Sequence, residues 1–245
     1  MSDAFEATSA GRLYNLLSDA KNVPGKNITI KQVWSSVFNT NDDLSLLFYH
    51  LRELQILVES IKSDAILFSG ERKNNYLQYY NVIERLVNVT NFDLPWIDFK
   101  NGLNDSVMSR LTFMHYLFVD NKKENLIDSK EINAILDEIN NLIGVISNSN
   151  EVDNDLRVFC IELLEQMRMK LLYYNIYGAK VIEDLLVHSY GKLCLNSSVY
   201  EQRNNKIVKS VFDVVTKLNS LYTFTKNVCE VCGGVAPMLQ LIAGS

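Results

Sequence analysis

An all-α fold, an irregular multi-helix bundle of about nine helices with no sheet of consequence, follows from three observations on the sequence. Apolar residues recur at spacings of three and four along most of the chain, which is the period of one helix face. Only 3 prolines and 10 glycines punctuate the 245 residues, too few for the many tight turns of a sandwich or barrel. Hydrophobic residues make up 47% and charged residues 22%, so most of the chain can bury enough apolar surface to offset the ordering entropy of folding.

Each element carries its own signal. Two helices are expected over residues 4–21 and 29–38, separated by Asn22-Val23-Pro24-Gly25-Lys26-Asn27, whose Pro-Gly pair is the firmest turn signal in the chain. Asp42 or Asp43 then opens a long pattern through Leu44, Leu47, Phe48, Leu51, Leu54 and Val58 that runs to about Phe68, where Gly70 interrupts it. Residues 75–88 and 105–119 are the next helices. The clearest stripe is Ile132, Ile135, Leu136, Ile139, Ile143 and Ile146, started by Ser129 or Asp128 and stopped by the Ser-Asn cluster at 147–150. Residues 154–177, 179–195 and 198–225 complete the helices, followed by a short terminal segment over 228–242.

No repeat period emerges when these segments are superposed, which disfavours a solenoid. We expect one elongated helical domain over 1–245. Its best internal boundary is the 91–101 loop, dividing lobes 1–90 and 102–245, with 147–153 as the other candidate.

The net charge of −5 argues against the basic footprint that phosphate-backbone binding needs, so nucleic acid is not an expected partner. The first residues have neither a basic region nor an apolar core, and no apolar run reaches the length of a membrane-spanning helix. A cytoplasmic protein with reduced thiols is expected. Its Asn-x-Ser/Thr triplets are therefore read as chance matches.

Cys229 and Cys232 have a metal-knuckle spacing, yet a tetrahedral zinc needs two further ligands, and His50, His115 and His188 have no paired spacing to supply them. Packing residues are the favoured reading, and no metal or cofactor is expected. His188 follows Asp184 by four residues, which sets a carboxylate beside an imidazole as in an oriented general base; a surface ion pair is the plainer account. No phosphate-cradling glycine loop or nucleophile elbow occurs, so no small-molecule ligand is indicated and an enzyme is the less favoured class.

Two segments suggest contact with other molecules. The loop 91–101 combines Phe92, Trp96 and Phe99 with Asp93, Asp98 and a proline, a composition that can either present a recognition surface or plug neighbouring helix ends. The segment after Val228 has Glu230 as its one charge and offers Val235, Met238, Leu239, Leu241 and Ile242, an apolar run that should be buried against something. Tyr76, Tyr79 and Tyr80, and Tyr173, Tyr174 and Tyr177, are read as core residues with hydroxyls at the rim. Arg203, Lys206 and Lys209 are read as a solvated helix face.

The expected function is a non-catalytic helical module for protein-protein interaction or regulation. It would dock to a protein partner or oligomerise through the C-terminal apolar segment. The alternative is a membrane-active, toxin-like or defence effector that releases the same segment onto a bilayer. An unfamiliar enzyme using Asp184 with His188, or a metal at Cys229 and Cys232, ranks third.

Overall fold

Polar side chains start most of the longer helices by accepting hydrogen bonds from backbone N–H groups that the first turn leaves unpaired. The computed structural model in which these contacts are described covers residues 5–41, 43–122, 124, 127–149 and 151–222. Thr8 accepts from Gly11 N (3.1 Å) and opens α1, Ser9–Asn22. Thr29 and Gln32 form a reciprocal capping box at α2, Ile30–Phe38: Gln32 N donates to Thr29 Oγ1 (3.3 Å) and Thr29 N donates to Gln32 Oε1 (2.9 Å). Of the two candidate aspartates, Asp43 caps α3, Leu44–Ser69, by accepting from Leu46 N (3.0 Å). Gly70 ends α3 at φ +54°, a backbone region that favours glycine.

A short 3₁₀ turn, Gly70–Arg72, then leads to α4 (Lys73–Leu77), α5 (Tyr80–Val87), α6 (Ile97–Lys100) and α7 (Asp105–Lys122). The helix expected over 75–88 is thus two helices. Gln78 leaves helical geometry and Tyr79 sits at φ +67°, which turns the chain so that Tyr80 can enter the core and donate its hydroxyl to the Val58 carbonyl (2.6 Å).

The chain continues through α8 (Ser129–Ser147), α9 (Asn154–Leu171), α10 (Tyr174–Tyr177), α11 (Lys180–Leu195), α12 (Ser197–Glu201) and α13 (Lys206–Tyr222). Asp128, rather than Ser129, caps α8, and Asp153 caps α9 by accepting from Leu156 N (2.8 Å). The helix expected over 154–177 breaks between α9 and α10. That expected from 198 breaks at 202–205, where Asn205 accepts from Ile207 N (2.8 Å) and opens α13.

The fold is all-α. Among the described residues the one β feature is an isolated bridge between Thr29 and Pro95.

Two compact units can be distinguished, one within Met1–Leu126 plus Asn175–Gly178, the other within Ile127–Tyr174 plus Ala179–Ser245. In the first, α1 packs on α2, α3 and α7, and α3 also packs on α4, α5 and α7. Its core is filled by Leu13, Leu17, Trp34, Leu47, Leu54, Ile61, Ile83, Trp96, Leu103 and Phe118. In the second, contacts run in a ring from α8 to α9 to α11 to α13 and back to α8, with α9 also meeting α13. The stripe read from the sequence supplies buried Ile132, Ile135, Ile139 and Ile146 to this unit, opposite Leu163, Leu164, Met167, Leu185, Leu186, Val214, Val215 and Leu218. The 91–101 loop lies inside the first unit.

Among the described residues, no helix is long and apolar enough to cross a membrane.

Candidate functional site

The 91–101 loop folds back along α2. Ile30 N donates to the Leu94 carbonyl (3.1 Å), Lys31 N to the Phe92 carbonyl (2.9 Å) and Trp96 N to the Ile28 carbonyl (2.8 Å), so loop carbonyls satisfy first-turn donors that have no partner within the helix. Trp96 is buried and meets Trp34 edge on, with ring centroids 6.4 Å apart. Trp34 in turn stacks on Phe38, and Phe38 on His50. Phe92 packs edge on against Phe48, whose side chain is 50% exposed, and Phe99 is half-buried in the lining of a shallow cleft with Asn81, Glu84 and Arg85. Of the loop's three aromatic candidates, Trp96 is therefore a core ring, while Phe92 and Phe99 sit at the boundary.

The histidines are held by neighbours of several kinds. His50 is buried against Phe38, and burial lowers its pKa to about 4. His115 is buried, stacks on Phe5 and hydrogen-bonds Thr8 Oγ1 through Nδ1 (2.8 Å); its pKa is also lowered by burial. His188 is exposed and pairs through Nε2 with Gln166 Oε1 (2.7 Å). Partial burial and the nearby Lys192 and Lys170 lower its pKa. Gln166, not Asp184, is the hydrogen-bond partner of this imidazole.

Two buried tyrosines hold the chain through their hydroxyls: Tyr80 donates to the Val58 carbonyl (2.6 Å) and Tyr174 to the Ile127 carbonyl (3.2 Å). Of the expected solvated face, Lys206 and Lys209 are exposed and Arg203 is half-buried. Among the described residues, no group of three or more His, Cys, Asp or Glu side chains is placed to hold a metal. Cys229, Cys232 and the apolar candidates Val235, Met238, Leu239, Leu241 and Ile242 lie outside the described residues.

One charged cluster is internal. Arg12 is 5% exposed, and all five of its N–H donors are used: Nε donates to the Ile176 carbonyl, Nη1 to the Glu6 carbonyl and Glu124 Oε2, and Nη2 to Glu124 Oε1 and the Tyr177 carbonyl. The two contacts to Glu124 are both 2.9 Å, a bidentate pair. Gly178, at φ +64°, passes so close to the Arg12 guanidinium that a Cβ there would collide with it. This cluster pins Asn175–Gly178 into the first unit.

A second cluster, also in the first unit, is open to solvent. Arg110, Phe113, Tyr116, Leu117 and Asp120 of α7 line a groove of about 410 Å³ with Arg72, Asn75 and Tyr76. Phe113 is 51% and Tyr116 60% exposed. The Arg110 guanidinium lies over the Phe113 ring, 5.7 Å from its centroid, and donates through Nη2 to Gln78 Oε1 (2.7 Å).

The sequence carries a trace of this groove, because positions 110, 113, 117 and 120 share one helix face. The stripe Leu111, Met114 and Phe118 on the opposite side dominates the pattern and hides it. Tyr76 is the one groove residue that the sequence singles out.

Compared with known proteins, the chain matches no family model, no curated protein and no solved structure.

Proposed function

We propose that this chain is a non-catalytic helical module for protein-protein interaction or regulation, acting in the cytoplasm. The observation that carries the proposal is the open groove of α7, where Arg110, Phe113 and Tyr116 present cationic and aromatic surface to solvent. Arginine, tyrosine and other aromatic side chains are the types that concentrate binding energy at protein interfaces. The apolar residues Val235, Met238, Leu239, Leu241 and Ile242 add a second contact, used for docking or oligomerisation. Exposed Leu67, Leu94 and Ile97 extend the apolar surface of the first unit.

A cytoplasmic setting agrees with the buried Cys160 being a thiol. The histidines support a non-catalytic role, since His50 and His115 are packed against rings and His188 is held by Gln166.

Sedimentation velocity on the full chain, and on a chain lacking residues 235–245, tests the proposal. The full chain is expected to self-associate and the shortened chain to sediment as a monomer. An assembly state that does not change on truncation would overturn the role given to the terminal segment.

A further inference from the structure

We infer that the groove beside α7 recognises an acidic peptide segment carrying an aromatic side chain. The inference deepens the interaction reading above and rests on it.

Two contacts fix the layout. Phe68 meets Phe118 edge on, with centroids 6.1 Å apart, and Arg110 reaches Gln78, so residues 68–78 run antiparallel to residues 110–118. Arg110 therefore stands at one end of the groove, Asp120 at the other, and Arg72 between the levels of Phe118 and Arg110. From Arg110 to Asp120 the helix rises roughly 15 Å at about 1.5 Å per residue. An extended peptide of four or five residues, at about 3.3 Å each, covers that length.

The chemistry selects the ligand. Arg72, Asp120 and the hydroxyls of Tyr76 and Tyr116 have no hydrogen-bond or ion-pair partner among the described residues, so they are available to a ligand without breaking a contact of the fold. Arg110 keeps its Nη1 and Nε donors beyond the bond to Gln78. Two guanidinium groups against one carboxylate make the groove locally cationic in a protein of net charge −5. Ligand carboxylates are drawn towards Arg72 and Arg110, while Asp120 repels them at its own end and sets the direction of binding. The exposed rings of Phe113 and Tyr116 give the ligand's aromatic side chain a surface to stack on. An open groove of this length suits a peptide better than a small molecule, whose sites enclose most of the ligand.

The test is fluorescence anisotropy with full-length protein and a labelled Glu-Glu-Trp-Glu-Glu peptide, beside its Lys-Lys-Trp-Lys-Lys counterpart. The acidic peptide should bind saturably and about tenfold or more tighter than the basic one, and more weakly as salt is raised. Arg72→Glu and Tyr116→Ala, both at exposed positions, should each weaken it by about tenfold, with unchanged melting temperatures showing that the fold is intact. No saturable binding, equal affinity for the basic peptide, or unchanged affinity in both variants would overturn the inference. A chain that ignores the peptide yet self-associates through residues 235–245 removes the groove and keeps the module. A monomer that binds the peptide removes the terminal-segment role and keeps the groove.

Discussion

Arg12 and Arg110 both stand on helices of the first unit, yet their guanidinium groups meet different surroundings. Arg12 is buried, with every donor committed to Glu124 or to a backbone carbonyl. Arg110 is half-buried at the surface, shares one bond with Gln78, and rests on an exposed ring. The difference separates a charge that the fold consumes from one with donors to spare. A buried charge holds a fold only when all its partners are present, because an uncompensated ion in a low-dielectric interior is costly. A charge at the surface, still reached by solvent and with donors to spare, adds little to stability.

The largest expected effect breaks the internal cluster. Glu124→Ala leaves the Arg12 guanidinium buried without its counter-charge and should cost about 3 kcal/mol of unfolding free energy, measured by urea denaturation. Next comes Gly178→Ala, expected to cost about 2 kcal/mol, because alanine is held in a left-handed backbone and its Cβ displaces the Arg12 guanidinium and the Glu124 carboxylate.

A pH titration sharpens the comparison from within the same unit. His50 is buried and its pKa is lowered to about 4, whereas an unfolded histidine titrates near 6.5. Between those values the unfolded chain takes up a proton that the folded chain refuses. Stability is therefore fully present above pH ~6.5 and falls as the pH drops towards ~4. His115, lowered in the same direction, adds to the slope. Unfolding free energies measured across this window should flatten in His50→Leu.

The capping box at α2 is a smaller contributor: Thr29→Ala should cost about 1 kcal/mol, read from the same denaturation curves. Smallest of all is Tyr116→Ala, whose ring is exposed; a change within about 0.5 kcal/mol is expected, and a larger one would mean that the groove serves the fold.

What the sequence made legible divides along similar lines. Helical periodicity and caps are local properties, so the isoleucine stripe of α8 and the stop at Gly70 could be read directly. The break at Tyr79 could not, because Tyr80 is drawn to the Val58 carbonyl, 22 residues away in sequence. Spacing sets His188 beside Asp184, but its partner Gln166 comes from another helix, which spacing within one helix cannot reveal. The internal cluster was invisible for the same reason: Arg12, Glu124 and Tyr177 lie far apart in the chain and carry no shared local signature. Trp96 stands in the 91–101 segment, where the sequence shows a loop and the structure adds the one-turn helix Ile97–Lys100; its burial depends on Trp34, which the segment's own residues do not disclose.

The most direct test of the contrast is a pair of urea unfolding curves for Arg12→Lys and Arg110→Lys. A lysine ammonium has three donors and no planar fork, so it cannot replace the five bonds of Arg12. The account predicts a loss of about 3 kcal/mol for Arg12→Lys and a change within about 0.5 kcal/mol for Arg110→Lys. Equal losses in the two variants, or an Arg12→Lys protein as stable as the parent, would contradict it.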